Sequence, residues 1–575
     1  MTVNSRDQPI STLECARRVR DLIERSQLVI PTEMASTAIS TRQSLLSELD
    51  DHIIARLSDM DAPAIVVVGG STGAGKSTVV NSLLGRSVTR SGVLRPTTSA
   101  PVLVCSPQCA RWFDEHSVLA SFARRIVEPG QLGGGDHSGA SLDVVITDAV
   151  PDAVAVIDAP DIDSVVQQNR ELASQLMAAA DIWLFVTTAA RYGDAIPWDF
   201  LTRAAQRSTS MAIVLNRVPS GAASQIEPHL RELLAAHGLG SVPVFVIDEQ
   251  PLSDGQLGHA AVAQLRGWLD HISTDSNARA AMVRATLDGA LRDSANNVQV
   301  VADALDRQDE VTSLLSQLAI GQYSKARRDV AAKVASGALL RGEVMSRWQD
   351  LVGTGELLRQ LQSSLGRMRD KVSAAITGKP LASTEFRGAV ESGIETLVVA
   401  HAQRSAKAVA ESWAATDAGS SLLSGCSDRL DRESADCAQR TARTIRDWQG
   451  SILDMLRVEG QQKTTTAKAL SYGVNGVAAV LMLAVFAQTG GLTGAELAIA
   501  GGSSAVGQRL VEALLGDQVI RDLAKRATAD LDERVGQLFD AEAARYLALL
   551  VEARNVDSGR ADELRRLATQ LVEAP

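Results

Sequence analysis

The stretch that decides the fold is Val66-Val67-Val68-Gly69-Gly70-Ser71-Thr72-Gly73-Ala74-Gly75-Lys76-Ser77-Thr78. The apolar run Ile65–Val68 predicts a buried parallel strand, and Lys76–Leu84 predicts the helix that follows. Between them, Gly70-x-x-x-x-Gly75-Lys76-Ser77 has the complete pattern of a phosphate-binding loop in the strand-to-helix context that this motif needs. The alternative, a glycine-rich turn that binds nothing, is disfavoured by the complete motif and its flanks. The sequence therefore predicts a nucleotide-binding protein.

The spacing of this motif follows from phosphate chemistry. Glycines let successive backbone N–H groups curl around an anion, and the start of the helix adds partial positive charge. We expect Lys76 to neutralise the β- and γ-phosphates and the Ser77 hydroxyl to bind Mg²⁺. The residues predicted to contact the nucleotide here are Gly70, Ser71, Thr72, Gly73, Ala74, Gly75, Lys76, Ser77 and Thr78.

Composition limits the possible function classes. At 575 residues the chain should hold two or more domains. Its 45% hydrophobic but only 3% aromatic content favours helices packed on helices. A net charge of −11 argues against a general nucleic-acid binder, so no nucleic-acid partner is expected. Five scattered cysteines favour a reducing compartment and a cytoplasmic location, and the N-terminus lacks the apolar run of a secretory signal.

The pattern of apolar residues predicts an α/β domain at residues 61–272, with a mostly parallel sheet flanked by helices, and helical segments elsewhere. Residues 1–60 are expected to form helices that pack on a helical stalk at 273–465. An apolar hairpin follows at 466–510, and residues 511–575 return to the stalk. The strands are predicted at Ile65–Val68, Val102–Val104, Val154–Ile157, Ile182–Val186, Ala212–Leu215 and Val244–Ile247.

Two further features lie where a site for nucleotide and magnesium would need them. Thr97 and Thr98 precede the second predicted strand, and a threonine there can close on Mg²⁺ and the γ-phosphate. A pair of threonines is also common in surface loops. Asp158 ends an apolar strand and is placed to hold the Mg²⁺ shell. The alternative is that Asp158 caps a helix.

A third feature is Asn216-Arg217, at the end of the fifth predicted strand, where a base could dock. Asn216 is a candidate to hydrogen-bond the purine edge, and the Arg217 stem could cover the ring. A turn made by Asn216 and Pro219 explains the same residues equally well.

The order of these motifs resembles the Era-like and dynamin-like branch of P-loop GTPases over residues 64–272. The first motif is Gly70–Ser77, and Thr97 or Thr98 supplies the second. Asp158-Ala159-Pro160-Asp161 matches the third, and Asn216-Arg217-Val218-Pro219 matches the fourth. The wider layout is similar to bacterial dynamin-like proteins, with residues 157–164 and 180–198 resembling actinobacterial GTPases. The resemblance implies GTP or GDP with Mg²⁺ as ligands and self-association through the nucleotide-binding domain.

The departures from the family pattern concern switching and base recognition. Asp161 stands where the family has a glycine whose N–H senses the γ-phosphate. The Asp161 carboxylate is therefore expected to repel the γ-phosphate. Pro219 replaces the aspartate that reads guanine, and guanine specificity is therefore implied only by the resemblance. Gly73 stands where dynamins carry a catalytic serine, and no glutamine is obviously placed to orient water. Lys76, Thr97 and Thr98 remain the candidate catalytic residues, and we predict slow hydrolysis that self-association stimulates.

The apolar run Val474–Ala487 lies within the candidate lipid-binding segment 470–507. The run is shorter than the roughly 20 residues that a membrane-spanning helix needs, but a re-entrant or shallow hairpin is possible. Flanking cations such as Lys468 and Arg509 suit anionic headgroups at the inner face of the cell membrane. The alternative is a hairpin buried in the helical bundle or at a dimer contact.

Three functions fit the sequence. The first is a dynamin-like GTPase that couples nucleotide-dependent dimerisation to stalk movement at a membrane. The second is an Era-like regulatory switch acting on a protein or a ribosome, and the third is an ATP-using enzyme with the same loop. Nucleotide preference separates the third from the others, and sedimentation with liposomes or ribosomes separates the first two.

Overall fold

The computed structural model describes residues 11–90, 101–113, 118–128, 141–164, 166–206, 210–336, 381–462, 517–554 and 559–573. Thr97, Thr98 and the apolar segment 470–507 lie outside these ranges. The chain divides into two compact units. The first comprises Met1–Leu28, Glu33–Arg307 and Val556–Pro575, and the second Val29–Thr32 and Gln308–Asn555. The segment boundaries drawn from the sequence stay a prediction.

An eight-stranded sheet forms the centre of the first unit. Its spatial order is β3-β4-β2-β5-β1-β6-β7-β8, and every neighbouring pair is parallel except β2 with β5. The strands are β1 (Ala64–Gly70), β2 (Val102–Cys105), β3 (Ala123–Ile126), β4 (Ser141–Ile146), β5 (Val154–Asp158), β6 (Ile182–Thr188), β7 (Ser210–Val218) and β8 (Val244–Asp248). The predicted α/β fold is confirmed.

The position of β1 explains where a site can form. β1 is buried along its whole length between β5 and β6, as its apolar sequence predicts. Val68 pairs with Asp158 in the register of β1 with β5. Parallel strands end at the same edge of a sheet, so the phosphate loop after β1 and the carboxylate at the end of β5 lie side by side.

All six strands predicted from the sequence are present, but β3 and β4 were not predicted. β3 is a short edge strand that carries Arg124 and Arg125, and its Ile126 is 75% exposed, so it lacks an apolar run. In β4 the apolar run is interrupted by Asp143, which is buried. Arg125 lies opposite Asp143 and donates to both carboxylate oxygens at 2.8 Å. Asp143, which interrupts the apolar pattern of β4, is therefore neutralised by Arg125, which interrupts the pattern of β3.

Helices cover both faces of the sheet and enclose two apolar clusters, one on each face. The amphipathic first helix buries Cys15, Ala16, Val19 and Ile23 in a third cluster with residues 287–305 and 561–571. The helices are α1 (Thr12–Arg25), α2 (Ala35–Glu48), α3 (Ile54–Ser58), α4 (Lys76–Leu84), α5 (Gln167–Ala178), α6 (Ala195–Gln206), α7 (Ala223–Ala236), α8 (Ala263–Thr274) and α9 (Ser276–Ala335), with a π-helical turn at Leu49–Ile53 before α3.

A buried ionic network ties the segment before β1 to the sheet. Asp181, which precedes β6, accepts hydrogen bonds from Arg56 Nε at 2.9 Å and from the backbone N–H of Ile65 at 2.7 Å. A second guanidinium nitrogen of Arg56 also contacts this carboxylate, and His52 Nε2 lies 3.3 Å from it. All three side chains are completely buried. The network fixes the entry into β1 and hence the strand that carries the phosphate loop.

The second unit is helical in its described part. The remaining helices are α10 (Leu381–Ala414), α11 (Asp417–Gly425), α12 (Cys437–Gln462), α13 (Asp517–Ala548) and α14 (Val551–Arg554), while α15 (Arg560–Glu573) belongs to the first unit. Buried aromatic side chains fix its core through backbone contacts. Trp413 Nε1 donates to Leu315 O at 3.1 Å, and Trp448 Nε1 donates to Ala527 O at 2.8 Å. None of the helices in the described ranges is long and apolar enough to cross a bilayer.

Candidate phosphate-binding site

The phosphate loop, Gly70–Ser77, joins the end of β1 to the start of α4. Gly70 and Gly75 have φ values of 145° and 93°, which L side chains rarely adopt. A Cβ atom on Gly70 would collide with the carbonyl oxygen of Val186, and one on Gly75 would lie 2.6 Å from Asn216 Nδ2. The two glycines of the motif are therefore required by the packing of the loop against β6 and β7.

Lys76 curls back over its own loop. Its side chain is only 6% exposed, and its ammonium donates to Gly70 O at 3.0 Å and to Ser71 O at 3.3 Å. The same ammonium forms an ion pair with Asp161. The lysine expected to neutralise phosphates thus lies at the loop, next to the carboxylate of Asp161.

Ser77 and Asp158 form a hydroxyl–carboxylate pair at the start of α4. Ser77 Oγ donates to Asp158 Oδ2 at 2.6 Å, and Asp158 is completely buried. Burial raises the pKa of Asp158, while the Ser77 hydrogen bond and the Lys76 charge act against this rise. The other oxygen, Oδ1, has no hydrogen-bond partner among the described residues. A buried carboxylate oxygen left free beside a hydroxyl is a donor set that suits Mg²⁺.

The alternative role of Asp158 as a helix cap is wrong. The next helix, α5, begins at Gln167, and Val166 occupies its N-cap position. Asp158 is instead the last residue of β5, where the sequence placed it.

Asn216 contacts the phosphate loop. It is 3% exposed, and its Nδ2 donates to Ala74 O at 2.8 Å. β7 continues to Val218, so Asn216 lies within the strand rather than in a turn, although the adjacent Arg217 has a φ of 53° and the register with β8 shifts here. Asn216 therefore links β7 to the loop, a contact that the sequence did not predict. Base contacts of Asn216 and Arg217 stay a prediction.

A second network that sequence reasoning missed fixes the first half of the loop. The backbone N–H and hydroxyl of Thr72 donate to Asp163 Oδ1 at 2.6 and 2.7 Å. Arg191 Nη1 donates to Thr72 O at 2.7 Å and to Asp163 Oδ2 at 3.0 Å. Burial acts to raise the pKa of Asp163, but the Thr72 hydrogen bonds and the Arg191 charge outweigh it, and the pKa is lowered. Asp163 is thus held as a carboxylate that anchors Thr72.

Asn81 in α4 fixes the start of the segment that leads to Thr97 and Thr98. Its Oδ1 accepts the backbone N–H groups of Val88 and Thr89 at 2.8 and 2.9 Å, and its Nδ2 donates to Thr89 O at 2.9 Å. The two threonines themselves lie outside the described residues. The structure therefore brings together the loop, Asp158, Asp161 and Asn216, and leaves the predicted second motif undescribed.

Comparison with known families agrees with this geometry. The model of the Dynamin family matches residues 65–218, which run from β1 to the end of β7. A curated relative from Arabidopsis thaliana, the probable transmembrane GTPase FZO-like, chloroplastic, is 23% identical over 200 residues. The match covers 34% of this chain and 20% of that protein, so the chain spans about a fifth of the relative's length. The finer resemblance to Era-like and actinobacterial GTPases stays a prediction.

Among solved structures, the chain is similar to one of an oligomerised bacterial dynamin pair, with a TM-score of 0.39 and 9% identity over 100% of this chain and 96% of that one. Toc33 from Arabidopsis thaliana in complex with Mg²⁺ and GMPPNP has a TM-score of 0.24 and 17% identity. That match covers 41% of this chain and 93% of Toc33.

Proposed function

We propose that this chain, which carries a GTPase domain of the dynamin family, binds GTP and GDP with Mg²⁺ at the phosphate loop and hydrolyses GTP slowly. The observation that carries this proposal is the arrangement of Ser77 and Asp158 beside Lys76. A hydroxyl, a buried carboxylate with one free oxygen and an ammonium are the groups that a magnesium–polyphosphate complex requires.

The chain's own groups have separate roles in this proposal. The backbone N–H groups of the loop and the start of α4 hold phosphate oxygens, and Lys76 neutralises their charge. Ser77 and Asp158 hold Mg²⁺, which supplies further charge neutralisation when bound. Asn216 and Asp163 act indirectly, because they hold the loop at Ala74 and Thr72. Thr97 or Thr98 completes the site as the second motif.

Preference for guanine is supported by the match to the Dynamin family. The fourth motif does not add to this support, because Pro219 stands in the place of the carboxylate that would read guanine. Asn216 and Arg217 are the residues proposed to face the base. An ATP-using enzyme is the competing proposal, and a comparison of GTP, GDP and ATP separates the two.

We further propose that nucleotide-dependent self-association through the nucleotide-binding domain stimulates hydrolysis and moves the helical stalk. Gly73 stands where the dynamin-like proteins carry a catalytic serine, and a second copy of the chain is proposed to complete the catalytic site. GTP turnover per protomer should therefore rise with protein concentration and then level off. The measurement is phosphate release from GTP, with ATP as the control, over a wide range of protein concentration. A turnover per protomer that does not change with concentration would reject stimulation by assembly.

A membrane is the proposed place of action, with the chain peripheral to the inner face of the cell membrane. The support is the apolar segment 470–507 with its flanking cations and the similarity to a relative named a transmembrane GTPase. The intact chain should float with anionic liposomes in a density gradient, and a variant lacking 470–507 should stay at the bottom while remaining folded. If neither floats and the deletion unfolds the protein, the segment is part of the core. Sedimentation with ribosomes instead would support the Era-like regulatory switch.

A further inference from the structure

The Lys76 ammonium has all three of its N–H donors engaged within the protein. Two go to the carbonyl oxygens of Gly70 and Ser71, and the third goes to the Asp161 carboxylate. A phosphate oxygen that binds Lys76 must therefore replace one of these three acceptors.

Asp161 is the acceptor that a phosphate would replace. The two carbonyl groups belong to the loop backbone that holds Lys76 in place. The Asp161 side chain is 35% exposed, so it can turn away into water. It is also an anion, like phosphate, and the two would repel each other if both stayed near Lys76.

The neighbouring carboxylates have other partners. Asp158 is completely buried and accepts the Ser77 hydroxyl, and Asp163 accepts the Thr72 N–H and pairs with Arg191. Of the three aspartates at the end of β5 and just after it, Asp161 is the one whose carboxylate forms a direct ion pair with the ammonium of the loop.

We propose that Asp161 is an internal competitor for the phosphate site: its carboxylate occupies Lys76 and is displaced when a nucleoside diphosphate or triphosphate binds. This inference rests on the proposed function, because it concerns the same site. The apparent nucleotide affinity is then the intrinsic affinity multiplied by the fraction of molecules in which Lys76 is not paired with Asp161. The return of Asp161 to Lys76 also favours release of the product diphosphate.

Asp161→Asn tests the competition, since it removes the charge and keeps the size of the side chain. The probe is GDP with Mg²⁺, titrated by calorimetry against the intact chain. We expect the variant to bind GDP about tenfold more tightly than the wild type, which corresponds to Lys76 being paired in roughly nine molecules of ten. The free variant should also melt at a lower temperature, because Lys76 loses a partner, and GDP should raise its melting temperature further than that of the wild type.

Glu171→Gln is the matched control, since it removes an exposed carboxylate from α5, the helix that follows the same segment, and the contact of Glu171 is with Gln167 rather than with the phosphate loop. It should not tighten GDP binding. Equal tightening in both variants would overturn the proposal in favour of a general charge effect. Weaker GDP binding by Asp161→Asn would overturn it as well, because Asp161 would then help to hold the metal or the nucleotide.

The failures of the two proposals are distinguishable. If the wild type and Asp161→Asn both bind neither GDP nor ADP, the proposed function fails and the competition fails with it. If both bind GDP with the same affinity, the function stands and the competition is wrong. Asp161→Gly is a second variant without the carboxylate and should also bind GDP more tightly. Unfolding of both variants would contradict the proposal, since the carboxylate would then be structural.

Discussion

Lys76→Ala is expected to abolish binding of GTP, GDP and ATP. The ammonium lies at the phosphate loop with only 6% of the side chain exposed, where its attraction to phosphate is poorly screened by water. Truncating one partner of such a buried charge pair costs about 2–5 kcal/mol, so affinity should fall at least about thirtyfold. Calorimetric titration of the three nucleotides with Mg²⁺ measures the effect, and the wild type should prefer the guanine nucleotides.

The control for this variant is Lys407→Ala, in the second unit, whose side chain is 73% exposed and pairs with Glu411 at 3.8 Å. It should bind nucleotide like the wild type. The fold of Lys76→Ala should also persist, because the Asp161 carboxylate that it leaves unpaired is partly exposed and can be hydrated. Retained nucleotide affinity in folded Lys76→Ala would show that the ligand does not bind at this loop.

Asp181→Ala is expected to destabilise the first unit by about 3–5 kcal/mol, the cost of removing one partner from a buried ion pair. The substitution leaves the completely buried Arg56 without its carboxylate, and the Ile65 N–H without its acceptor. Amide hydrogen exchange at Ile65–Val68 measures the loss, because β1 is the central strand that this network positions. Exchange there should become faster by about tenfold for each 1.4 kcal/mol of lost stability.

Glu227→Ala is the matched control for Asp181→Ala. Glu227 forms an exposed pair with Arg231 one helical turn away, a contact worth about 0.3–0.5 kcal/mol. Unchanged exchange in β1 of Asp181→Ala would mean that the buried network does not stabilise the strand.

The same network gives a pH dependence with a defined sign. Burial alone would raise the pKa of Asp181, but the charge of Arg56 and the His52 and Ile65 contacts outweigh it, and the pKa is lowered. A carboxylate whose folded-state pKa is below its unfolded value of about 3.9 stabilises the fold above that pH. The contribution is lost as the pH falls from there through the lower folded-state pKa.

The parts of the site that were predicted from the sequence are those with a local signal. The phosphate loop is a continuous motif, and Asp158 follows an apolar run, so neither needs knowledge of distant residues. The link from Asn216 to Ala74 and the anchoring of Thr72 by Asp163 and Arg191 join residues far apart in the chain. No periodicity or spacing indicates such contacts before the sheet order is known.

Charged residues mark where the fold was harder to predict. β3 and β4 were missed because Arg125 and Asp143 interrupt their apolar patterns and are neutralised only by each other. Asp161 was predicted to repel a γ-phosphate, and its pairing with Lys76 adds a direct reason why it opposes nucleotide binding. The sequence shows that Asp143 and Asp161 are charged, but only the structure shows that they pair with Arg125 and Lys76.

The central claim is that the phosphate loop binds the phosphates of a nucleotide together with Mg²⁺. The most direct measurement is a crystal structure of the chain grown with GMPPNP and Mg²⁺. The account predicts phosphate oxygens within hydrogen-bond distance of the loop N–H groups and of Lys76 Nζ, with the metal beside Ser77 and Asp158. Nucleotide bound elsewhere, or a loop without phosphate and with Lys76 still paired to Asp161 at saturating GMPPNP, would contradict it.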